Sequence, residues 1–135
     1  MRYLCLIYLD EQELGAIPPQ EASDLNAAHW AVNDQMKKSG NFRSAEALGP
    51  AGSTKTIRVR NGKLQVRDGP FAEAKEMVAG FYFLEARNIE EATELAGRIP
   101  SAAIGSIEVR PCRMLDVIGT PSHWGDDQTD LDTTV

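Results

Sequence analysis

Cysteine and histidine each occur only twice in this 135-residue chain, and neither forms a cluster. Cys5 and Cys112 lie outside any CxxC pair and have no histidines at metal-ligand spacing, so the pattern contains no zinc-type site. Basic residues are also sparse and scattered, with 14 Lys and Arg against 20 Asp and Glu, a net charge of -6 and a sequence pI near 4.9. A phosphate-binding face needs clustered cations, so neither nucleic acid nor a membrane is an expected partner. Long hydrophobic runs are missing too. The apolar stretch between Arg2 and Asp10 is seven residues, too short to span a bilayer, and no small-residue cleavage site of a signal peptide follows it. A cytoplasmic location is expected, and in that reducing setting both cysteines should stay free thiols that behave as small hydrophobes. No Gly-rich phosphate loop, Ser-His-Asp set or metal-ligand cluster is visible, which leaves nucleotide hydrolysis, serine-type chemistry and metalloenzyme readings without support and implies no cofactor.

What is present suits one ordinary domain: 42% hydrophobic and 25% charged residues, in a chain long enough to bury a core without staples. "RYLCLIYL" (2–9) is apolar on both alternating faces and reads as a strand covered on two sides. Pro19 opens a long helix that should run to about residue 39, where Gly40 offers a left-handed stop. "FRSAEAL" (42–48) is a modest strand. "TKTIRVR" and "KLQVRD" flank Asn61-Gly62, the strongest short-range hairpin signal, because both central residues of that turn need positive φ. "MVAGFYFLEA" (77–86) is a further strand, and Asn88 caps a second helix with Glu91 at the capping-box position. "SIEVRP" (106–111) alternates as the last strand. A body spanning 1–118 is thus followed by an acidic tail, 119–135, with few apolar residues and an expectation of flexibility.

The order β-α-β-(hairpin)-β-α-β is that of an α+β, ferredoxin-like antiparallel sheet with two helices on one face. Two strands are apolar on both faces while the helices can cover only one. The other face is therefore expected to meet a second copy, sheet against sheet, as a homodimer.

The stretch "RDGPFAEAKE" (67–76) poses the functional question, because an aspartate precedes a Gly-Pro break and one of the most apolar runs of the chain. A two-residue turn at 61–62 pairs Val59 with Leu64, Ile57 with Val66, and Lys55 with Asp68, which puts Asp68 in phase with the apolar side of its strand. On the long helix Ala22, Leu25, His29, Val32 and Met36 recur at spacings of three and four, so His29 sits in the middle of the apolar stripe. A histidine facing in from the helix and an aspartate facing in from the sheet would form an acid/base pair, with the carboxylate fixing the imidazole. The competing reading is a satisfied rim histidine and an Asp68 that pairs with Lys55. Glu73, Lys75 and Glu76 are candidate substrate-binding residues if the loop turns inward, or a solvated turn if it does not.

"VRDGPFAEAKEMVAGFYFLEA" resembles the signature of the DGPF-domain proteins, a branch of the YCII-related family, and "MRYLCLIYLDE" and "GSIEVRP" are similar to that family's flanking strands. The resemblance covers roughly residues 1–112. It implies a dimeric α/β barrel of bacterial type, with no established cofactor. It also implies a His–Asp cleft acting on a small organic molecule, at positions that correspond to His29 and Asp68. Many DGPF members are encoded beside extracytoplasmic-function sigma factors, which implies the alternative of a non-catalytic ligand-binding or regulatory accessory module with a protein partner. Ile104 departs from the pattern, standing where some members carry a polar residue.

Overall fold

A computed structural model describes residues 1–119 and 121–123. Strand β1 (Arg2–Asp10) leads through a short helix α1 (Glu11–Gly15) into the long helix α2 (Pro19–Lys38) and strand β2 (Phe42–Ala47). The hairpin β3 (Lys55–Arg60) and β4 (Lys63–Asp68) follows, then β5 (Glu76–Glu85), helix α3 (Ile89–Gly97), a 3-10 turn (Pro100–Ala103) and β6 (Ser106–Pro111). The main sheet is four-stranded and antiparallel, ordered β2-β5-β1-β6. This is the α+β, ferredoxin-like arrangement, with β1 and β5 at its centre.

Alternation along the two central strands sorts their side chains cleanly. Tyr3, Cys5, Ile7 and Leu9 of β1, with Tyr82 and Leu84 of β5, are buried and pack with Met36 of α2 and with Ala92, Leu95, Ala96 and Ile99 in and beside α3. Leu4, Leu6, Tyr8, Phe81 and Phe83 point to the opposite, helix-free face and are half-buried. Gly80 is required where β2 pairs with β5, because a Cβ there would lie 2.8 Å from the Glu46 carbonyl oxygen. Gly105 is tighter still, with its Cβ position 2.2 Å from the Tyr8 carbonyl oxygen.

The helix boundaries follow local chemistry. Pro19 occupies the first turn of α2, and Gly40 takes a φ of 81° just past its end. Asn88 caps α3 by accepting from the Glu91 amide, while Glu91 binds the Arg87 side chain and amide, one residue earlier than a reciprocal capping box would have it. Helix α1 has no apolar period to announce it in the sequence. Asp10 ends β1 and caps those five residues through the amides of Gln12 and Glu13.

The hairpin has the register its turn dictates: Asn61 and Gly62 adopt φ of 54° and 72°, and Lys55 pairs with Asp68, Ile57 with Val66 and Val59 with Leu64. It forms a two-stranded sheet of its own instead of joining the main one. Its apolar side is therefore open, with Ile57, Val59, Leu64 and Val66 all more than half exposed. Both cysteines are free, Cys5 buried and Cys112 half-buried. No helix among the described residues is long and apolar enough to cross a membrane. Of the expected tail, Ser122–His123 forms a small ladder with Met114–Leu115, and residues 120 and 124–135 lie outside the described part.

Candidate functional site

The apolar stripe of α2 carries His29 to the helix-facing side of the sheet, where a cleft of about 530 Å³ opens between α2, β2 and β5. Its walls combine apolar Ile7, Ala45, Ala47 and Ala79 with Trp30, and polar groups from Asn26, His29, Asn33, Glu46, Tyr82 and Ser101. Among the described residues, neither Lys nor Arg lines it. A space with two aromatic side chains, neutral amides and no cation suits an uncharged molecule with a flat apolar part better than an anion.

Both nitrogens of the His29 ring are engaged. Nδ1 lies 2.8 Å from the Leu25 carbonyl oxygen one turn back on α2, and Nε2 lies 2.8 Å from Ser101 Oγ. A carbonyl can only accept, so in the neutral ring the proton is on Nδ1 and the Nε2 lone pair accepts from the Ser101 hydroxyl. Ser101 is only 3% exposed, and it comes from the 3-10 turn that Pro100 starts after α3. The Tyr82 ring stands beside His29, 6.5 Å between centroids, and its hydroxyl donates to Asn33 Oδ1. That bond takes one of the two lone pairs of the Asn33 oxygen and leaves the amide NH2 as the donor that Asn33 can offer a ligand. Burial pushes the Tyr82 phenol up to about 12, which keeps it neutral and a donor at any physiological pH.

Asp68 is elsewhere. It sits at the end of the separate hairpin, where Lys55 Nζ donates to it at 2.5 Å, and its side chain is 83% exposed. It is not among the residues that line the His29 cleft. The apolar phase expected of Asp68 holds, but the apolar side it shares belongs to the open hairpin and not to the sheet under α2.

The loop residues divide as well. Glu73 and Lys75 are exposed and Glu76 is half-buried, accepting from Ser106 Oγ at 3.0 Å. Lys75 and Glu76 border a second, more open cleft of about 590 Å³, together with Tyr8, Asp10, Glu13 and Glu108. None of the three lines the His29 cleft. Ile104 is 44% exposed and does not line it either, whereas Ser101, three residues earlier, does. Ser101, Asn33 and Tyr82 were not singled out in the sequence. Tyr82 was reachable from strand phase, and Asn33 from its place four residues after His29. Nothing local announces Ser101.

Comparison with known proteins follows the same lines. The family model described as the YCII-related domain matches residues 1–116. An uncharacterized protein of Rhizobium meliloti (strain 1021) is 34% identical over 113 residues, covering 82% of this chain and 91% of that one. A similar solved structure is 5-chloro-2-hydroxyhydroquinone dehydrochlorinase from Burkholderia phenoliruptrix AC1100, in complex with 2,5-dihydroxybenzoquinone, at 18% identity and a TM-score of 0.44 over 82% of this chain and 92% of that one. On the span of the domain match and the identity to its curated relative, this chain belongs to the YCII-related family.

Proposed function

We propose that the protein is an enzyme that moves a proton on a small, uncharged organic molecule held between α2 and the sheet, with His29 as the proton-transfer group. The observation that carries this reading is the His29 ring itself. It is fixed at Nδ1 by the Leu25 carbonyl, so its one basic nitrogen is Nε2, which reaches a cleft of ligand size through the Ser101 hydroxyl. In this reading the backbone carbonyl supplies the orientation that an aspartate supplies elsewhere, and Asp68 serves the hairpin through Lys55. Trp30 and Tyr82 would hold the flat part of the substrate, and Asn26 and Asn33 its polar groups.

A second reading has its own observation. Glu73, Lys75 and Glu76 would be expected near His29 in a catalytic cleft, yet they lie away from it. That favours a non-catalytic module that binds a small ligand or a regulatory partner. One experiment separates the two: a library of small neutral aromatic compounds is screened by ligand-observed NMR, and hits are followed for chemical change. The enzyme reading expects a hit that is converted by the wild type and not by His29→Ala. A hit that binds in the cleft and remains unchanged over hours supports the accessory module.

We further propose that the protein works as a homodimer through the helix-free face of the sheet, where Leu4, Leu6, Tyr8, Phe81 and Phe83 stand together and only half-buried. Such a contiguous apolar face is uncommon on a monomer. Phe83 is crossed by the Arg43 guanidinium, 5.8 Å from the ring centroid, and Arg43 is itself paired with Glu85 at 2.6 Å. These charges would form the polar rim of the interface.

A further inference from the structure

We infer that Ser101 is a nucleophile activated by His29, and that the site takes neutral esters or comparable acyl and sulfonyl electrophiles. This rests on the cleft of the proposed function but makes Ser101, a residue of the cleft wall, the reacting group. With Nδ1 held by Leu25 and Nε2 by Ser101, neither ring nitrogen meets a ligand directly. The group that joins the base at the cleft wall is Ser101 Oγ, on a residue 3% exposed and 2.8 Å from the imidazole Nε2. A hydroxyl whose proton already points at a fixed basic nitrogen is the arrangement that makes a weak oxygen nucleophile competent.

The buried serine is otherwise hard to account for. A helix-stripe histidine could be satisfied by the Leu25 carbonyl and by water at its other nitrogen. Instead, a 3-10 turn 72 positions away places a hydroxyl there, and it is the one polar group other than tyrosine that the core buries among the described residues. The rest of the cleft suits an acyl group. Trp30 and Tyr82 supply aromatic surface for the apolar part, the lack of Lys and Arg disfavours a charged acid, and the Asn26 and Asn33 amides are neutral donors for a carbonyl oxygen as negative charge develops there.

The chemistry balances without any further group. As Ser101 Oγ bonds to the carbonyl carbon, its proton passes to His29 Nε2, while Nδ1 keeps its own proton on the Leu25 carbonyl. Collapse of the adduct breaks the bond to the leaving alcohol, which takes the proton from Nε2. Water then attacks the acyl-serine, giving one proton to Nε2, and that proton returns to Ser101 Oγ as the acid leaves. The sum is ester plus water to acid plus alcohol. Because a neutral carbonyl stands behind Nδ1 in place of a carboxylate, the imidazolium is less well stabilised, and good leaving groups are required.

The test uses phenylmethanesulfonyl fluoride, a neutral aromatic reagent, on the full chain with peptide mapping by mass spectrometry. Displacement of fluoride should leave one sulfonyl group per chain, on Ser101. His29→Ala should label at least about a hundredfold more slowly, the loss expected on removing a general base. Ser101→Cys guards against a folding defect in Ser101→Ala: its new thiol should be alkylated by iodoacetamide faster than Cys112, and the advantage should vanish in the Ser101→Cys, His29→Ala double variant. No adduct at Ser101, or an equal rate without His29, would overturn the inference. If labelling fails while a cleft ligand is still converted in a His29-dependent way, Ser101 loses its role and His29 keeps the proposed one.

Discussion

His29 and Ser101 share one hydrogen bond and are very unequally visible in the sequence. The i, i+3, i+4 spacing of Leu25, His29, Val32 and Met36 is a local property, so His29 could be set on the inner face of α2 from the sequence alone. Its partner could not, because Ser101 arrives from a 3-10 turn and meets it only through the packing of that turn against α2. Ser101→Ala should leave His29 Nε2 facing an apolar methyl and cost about 1 kcal/mol in chemical denaturation, as for one lost hydrogen bond. Asp68 is a contrast. Its phase was legible, but phase says nothing of what a hairpin packs against. Since Lys55 and Asp68 are both largely exposed, Asp68→Asn should cost under about 1 kcal/mol and leave the His29 NMR signals in place. A shift of the His29 ring signals in that variant would restore a link between the two. Tyr82 supplies a pH test: its phenol is raised from 10.0 to about 12 by burial, so its contribution is fully present below pH 10 and is lost as pH rises through about 12. Tyr82→Phe should therefore lessen the fall in stability across that alkaline window.

Among the elements, those set by neighbours in sequence were the readable ones. The Asn61-Gly62 turn fixed the hairpin register pair by pair, and Pro19, Gly40 and Asn88 marked helix ends because each satisfies or vacates a particular backbone group. The five residues of α1 lack any apolar period, and only the Asp10 cap distinguishes them from a loop. The detachment of β3–β4 from the main sheet was likewise not a local matter. A two-stranded hairpin is marginal in water by itself, and this one leaves Ile57, Val59, Leu64 and Val66 open. Its amides should exchange with solvent well before those of β1 and β5 in the monomer. Slow exchange there at high protein concentration would mean that the hairpin is covered in the assembly. The β2–β5 contact is less forgiving. Gly80→Ala must displace the Glu46 backbone and should destabilise the protein by about 1–3 kcal/mol while distorting the cleft wall that both strands form.

The whole molecule joins an acidic chain, net -6, to a sheet with one unsatisfied apolar face. If a second copy covers that face, Phe81→Glu or Phe83→Glu should convert a dimer to monomer in light scattering at micromolar concentration, since each would bury an unpaired charge. Dimers that survive both changes would move the interface elsewhere. Truncation after Ile118 removes only the two-residue pairing of Ser122–His123 among the described contacts of the tail, and should lower the melting temperature by no more than a few degrees.

What everything at the cleft depends on is the fixed state of one imidazole. Nitrogen-15 NMR of the histidine-labelled protein reads it directly at neutral to mildly alkaline pH, with His123 as the second, independent signal. The predicted result is a His29 ring protonated at Nδ1 and bare at Nε2, with both of its nitrogen signals moving, and those of His123 staying in place, when a neutral aromatic ligand enters the cleft. A ring protonated at Nε2, with Nδ1 bare, would contradict the Leu25 and Ser101 contacts and leave the cleft without its base.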